Sequence, residues 1–128
     1  MEYTGFRPQA ADEEEPSPSL DRLLIRNPNL SFFAVMQGNA MARAGIRHGD
    51  VLVIEPAEDY RNGAIVLALV NRQALVRRLE RSATGAHLCP AHPNFKTIEV
   101  DADCVIRGQV VAAVTLLARP RVKLPVVG

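Results

Sequence analysis

Five short runs of apolar and β-branched residues, at 32–36, 51–54, 64–70, 74–79 and 105–117, constrain this chain more than any other feature. Runs of that length, rich in Val, Ile, Leu and Phe, are the pattern of strands. Between them stand residues that turn a backbone: Gly45, Gly49 with Asp50, Asn62 with Gly63, Asn71 with Arg72, and Gly85. The runs on either side of Asn71 and Arg72 predict a hairpin. Aromatic residues are only 5% of the chain and Trp is absent, so the core has to be assembled from Val, Leu, Ile and Ala. Several curved antiparallel strands meet that requirement, which predicts a mainly β single domain with one or two short helices.

The 128 residues suffice for one domain with a sizeable core. A hydrophobic share of 48% against 23% charged residues excludes a chain disordered throughout. The net charge of +1 excludes a binder that holds nucleic acid by its field alone. Two cysteines, Cys89 and Cys104, are too few for a disulfide framework and fit a reduced, cytoplasmic setting. No apolar run reaches the roughly 18 residues of a membrane-spanning helix, so neither a membrane anchor nor an export signal is expected.

Residues 1–19 carry Pro8, Pro16 and Pro18 and an acidic run at 12–15, which predicts an extended arm. Ser19 then precedes Leu20, Leu23, Leu24 and Ile25 at helical spacing until Pro28, a helix of about two turns. The body is expected over 20–119. A basic, Pro-containing tail over 120–128 reads as a frayed end, with addition to a partner as a short extended segment the alternative.

The segments Gly38-Asn39-Ala40-Met41, Gly49-Asp50-Val51-Leu52, Gly63-Ala64-Ile65-Val66 and Val76-Arg77-Arg78-Leu79 follow one another in an order and spacing that resemble the self-cleaving LexA and UmuD family. That family usually reads Gly-Asp-Ser-Met at the first and Val-Lys-Lys-Leu or Val-Lys-Arg-Leu at the last. The N-terminal features Gly5-Phe6, Pro8, Ala10-Ala11-Asp12 and Leu23-Leu24-Ile25 resemble its UmuD branch. The resemblance implies a homodimer that serves as accessory subunit of an error-prone translesion DNA polymerase in the SOS response. A recombinase filament and a sliding clamp are further candidate partners, and no sequence-specific DNA contact is expected.

The family cuts a peptide bond with a serine activated by a neutral lysine. Ala40 stands at the serine position and offers a methyl group with no lone pair, while Arg77 stands at the lysine position and keeps its proton near neutral pH. The expectation is therefore a non-enzyme, a pseudo-peptidase, with Gly38, Asn39 and Met41 as neighbours of a vestigial cleft. The family's cleavage site maps onto Thr4 and Gly5; with only four residues before Gly5, the chain looks as though it is made already trimmed. Two alternatives remain open: a serine peptidase with an engineered Ala40, and a decoy that forms mixed dimers with an active relative.

Arg77 is expected to fill the cleft and pair with a carboxylate, and Arg78 to face the other way by strand alternation. His87, Cys89, His92 and Cys104 lie close enough in sequence to raise a metal site, but Pro90 and Pro93 break the spacing. Neither metal nor cofactor is expected. His48 reads as a solvated turn residue.

Overall fold

The structure, a computed structural model, describes residues 19–128. The expected arm, with Thr4 and Gly5, lies outside the described residues. A single eight-stranded sheet dominates. Its strands are β1 (Phe32–Met36), β2 (Val51–Glu55), β3 (Ile65–Val70), β4 (Gln73–Ser82), β5 (Gly85–Cys89), β6 (Ile98–Glu99), β7 (Cys104–Val114) and β8 (Val126–Val127). Their order across the sheet is β6-β5-β4-β3-β7-β2-β1-β8. Every neighbouring pair is antiparallel except β1 with β8, which is parallel.

The hairpin expected at Asn71 and Arg72 joins β3 to β4 in the register Val70↔Gln73. Both turn residues have positive φ, 49° and 69°, which is the left-handed pair whose twist matches that of the flanking strands. Alternation then sorts β3 between two cores. Leu67 joins Met36, Met41, Leu52, Ile54, Val76 and Val127 in one cluster. Val66 and Ala68 turn the other way, onto Leu79, Leu88 and Tyr60. Gly108 on β7 marks where β7 crowds its neighbour, because a Cβ there would lie 2.5 Å from the Ile54 side chain.

Three features differ from the sequence reading. The last long strand stops at Val114 rather than 117, since the Thr115 hydroxyl donates to the Asp50 carboxylate (2.6 Å) and the chain turns off the sheet there. Leu116 and Leu117 are left exposed. The helix over Leu20–Leu24 (α1) is shorter than two turns; its Ser19 cap accepts the Arg22 N–H at 3.1 Å as expected, but it buries no residue. The tail is not frayed, because Val126 and Val127 form β8 against β1. Among the described residues no helix is long and apolar enough to cross a membrane.

Candidate functional site

The loop after β1 carries the first block of site residues. Gly38 adopts φ +91°, a conformation that favours glycine, and its N–H donates to His48 Nδ1 at 2.9 Å. His48, although exposed, thus ties the loop to the turn before β2. Asn39 stays exposed, and its carbonyl accepts the Ala42 N–H that opens a 3-10 turn over Ala42–Ala44. Ala40 and Met41 are buried. The Ala40 carbonyl accepts the Ala91 N–H (2.8 Å), and the Ala91 carbonyl accepts the Arg43 N–H (3.0 Å), so the loop is clamped to the β5–β6 connection. Below it, buried Asp50 accepts the Arg47 N–H (2.9 Å) as well as the Thr115 hydroxyl.

The second block sits on β4. Arg77 is 5% exposed and lies opposite Val66 on β3. Its Nη1 donates to the carbonyls of Val76 (2.7 Å) and Gly128 (3.1 Å), and its guanidinium carbon lies 5.6 Å from the centre of the Phe95 ring. Nε has no partner among the described residues. Burial pushes the Arg77 guanidinium below the ordinary arginine value, and the ring face offsets part of that cost. The expected carboxylate partner is not there: the one ion pair among the described residues joins Arg81 to Asp59. Carbonyl oxygens and an aromatic face take its place. Arg78 faces the other way, as alternation requires, and donates to the Gly63 carbonyl at 3.0 Å.

The two blocks meet through the core. Met41, next to Ala40, and Val76, next to Arg77, share one cluster with Val127 of the tail strand. Chemically, Ala40 supplies shape, and Arg77 supplies two hydrogen bonds and a desolvated positive charge. His87, Cys89, His92 and Cys104 do not assemble: among the described residues no three metal-ligating side chains converge. The Cys89 thiol donates to Glu80 (3.3 Å), and the His92 ring packs edge-on against Phe95. Burial first, and the neighbouring Glu80 second, push the Cys89 thiol up.

Sequence reasoning missed Asp50, Thr115, Ala91, Phe95 and Gly128. Only Asp50 had a visible signal, an acidic residue directly before an apolar strand. The other four act across sequence gaps that no local spacing encodes.

The chain matches the family described as Peptidase S24-like over residues 4–111. It is similar to LexA repressor 1 of Xanthomonas campestris pv. campestris, 41% identical over 96 residues, covering 70% of this chain and 48% of that protein. The LexA repressor of Pseudomonas aeruginosa is 27% identical over 117 residues, 76% of this chain and 57% of the repressor. That of Erwinia tasmaniensis is 35% identical over 74 residues, 58% and 37% respectively. The chain spans about half the length of these curated relatives or less. These matches correct one expectation. A non-enzyme of pseudo-peptidase type does not stand against a peptidase-family match with LexA repressors as relatives, which point to a LexA-like member.

Proposed function

Because the chain belongs to the Peptidase S24-like family, we propose that it is a LexA-like regulator of the SOS DNA-damage response that works through contacts with other proteins. The finer part of the proposal is a homodimeric, cytoplasmic, UmuD-like accessory subunit of an error-prone DNA polymerase. One observation carries it. An apolar groove of about 340 Å³ lies open beside α1, lined by Leu20, Leu24, Phe33, Val51, Leu116 and Val122. Leu20, Leu23, Val122 and Leu117 around it are 65%, 71%, 68% and 100% exposed, a concentration that a small soluble domain rarely leaves uncovered. A surface of that kind suits a second copy or a polymerase subunit.

Within the same proposal, Ala40 and Arg77 occupy the family's serine and lysine positions, with Gly38, Asn39 and Met41 as their neighbours. A fluorophosphonate probe tests that assignment. The Ala40→Ser, Arg77→Lys double variant should be labelled at position 40 about 100-fold faster than Ala40→Ser alone, the scale of a positioned general base. Equal labelling of the two variants overturns the assignment.

The functional reading is tested by recovering the untagged chain from DNA-damaged cells and identifying what accompanies it by mass spectrometry. Co-purification of an error-prone polymerase supports the accessory role. An intact family relative in its place shows a decoy, and neither one contradicts the SOS reading.

A further inference from the structure

Residues 125–128 are held on two sides by strands that are far apart in the sheet order. On one side β8 adds to β1 in parallel, with the Val35 N–H donating to the Pro125 carbonyl (2.8 Å) and the Gln37 N–H to the Val127 carbonyl (2.7 Å). On the other, the Gly128 N–H donates to the Ala74 carbonyl of β4 (3.0 Å), and Arg77 donates to the Gly128 carbonyl (3.1 Å). Main-chain hydrogen bonds on both flanks are how one extended segment is received by another fold.

Two positions of the segment are selected by shape. Val127 is 7% exposed and sits in the core cluster with Met36, Met41 and Val76, whereas Val126 points outward. Gly128 has φ +148°, and a Cβ on it would overlap the Gln37 carbonyl oxygen. The site therefore requires an apolar side chain and then none at all. Arg77 is set in advance by its bond to the Val76 carbonyl and its contact with Phe95, so it meets the glycine carbonyl without reorganising.

The connection makes this occupant separable from the sheet. Residues 115–124 form no strand or helix and are exposed except at Leu124, and β8 itself is only two residues long. A cavity of about 310 Å³ opens beside the segment, lined by Gln37, Gln73, Ala74, Leu75 and the segment itself.

We propose that residues 125–128 are a built-in competitor seated in a glycine-selective strand-addition site formed by β1, Ala74 and Arg77. Once vacated, the site takes extended peptides in which an apolar residue precedes glycine. The segment acts as an intramolecular gate, and Gly128 is the residue that decides whether it is shut. The proposal is independent of the SOS reading, since it concerns what the groove accepts rather than which pathway uses it.

The test uses the full chain and a fluorescein-labelled peptide with the sequence of residues 123–128, amidated at its end. Gly128→Val should release the segment, so that amide hydrogen exchange at Val35 and Gln37 accelerates while the amides of β3 and β7 stay protected. The peptide should then bind the variant about tenfold or more tightly than the native chain, because a resident occupant lowers apparent affinity by the fraction of open sites. A peptide ending in Val-Val-Val should not bind either protein. Val127→Ser removes the apolar anchor without steric overlap and should give the same two readouts. Equal peptide affinity for native and released chains overturns the proposal. So does unchanged exchange at Val35 and Gln37 in both variants, or released segments with no peptide binding.

Discussion

The two ends of β1 treat apolar and polar surface in opposite ways. At Met36, the backbone of the strand and of the following Gln37 is covered by residues 125–128, and the nearby cation is satisfied by carbonyls and a ring. Near Phe33, α1 lies beside the sheet without burying a residue, and leucines stand open to solvent. One region has its ligand within the chain; the other has apolar surface and no cover among the described residues. The contrast teaches that the same strand can be internally complete at one end and interaction-ready at the other. Substitutions at the closed end should register in stability, and those at the open end in association.

The largest expected effect is at Arg77. Arg77→Ala strips two buried carbonyls of their donor and opens a void beside Phe95, and it should cost about 3 kcal/mol in urea denaturation. A cost under about 0.5 kcal/mol would mean that the closed end is not closed. Next is Thr115→Val, which removes the hydroxyl donor from the Asp50 carboxylate and should cost about 2 kcal/mol by the same measurement.

At the open end the signs separate. Leu117→Asp should leave the unfolding free energy within about 0.5 kcal/mol of native yet weaken self-association about tenfold in sedimentation equilibrium. A matching loss of stability would make that end part of the core after all.

The smallest effect concerns Cys89, which lies away from both ends. Its folded thiol titrates above its unfolded value, so the proton is held more tightly in the folded state. Its contribution to stability is complete below the unfolded value and is lost as pH rises through the raised folded one. At mildly alkaline pH, alkylation by iodoacetamide should be slower in the folded chain than in urea, and Glu80→Gln should narrow that gap by removing the negative neighbour.

Much of the sheet was legible because period-two burial and turn residues are local. The run 32–36 coincides with β1, and Asn71-Arg72 turns where two flanking apolar runs demand it. What was illegible depended on distant partners. β8 is only Val126–Val127, and its place comes from pairing with a strand some 90 residues earlier, which no window over 120–128 encodes. The Leu20–Ile25 spacing reads as an amphipathic helix whether or not a surface receives it, so the uncovered face was invisible too. Arg77 was found from its motif, but its partners were expected to be acidic. Backbone carbonyls and Phe95 leave no charge pattern to read. Matches to a peptidase family and to LexA repressors were anticipated from motif order, whereas the step from Ala40 and Arg77 to a non-enzyme went further than those matches allow.

The closing of the sheet by its own tail is tested most directly by scalar couplings across hydrogen bonds in an isotope-labelled full chain. The account predicts measurable couplings from the Gln37 amide nitrogen to the Val127 carbonyl carbon and from the Gly128 amide nitrogen to the Ala74 carbonyl carbon. Absence of both, with Val35 and Gln37 amides exchanging at the rate of an unprotected chain, contradicts it.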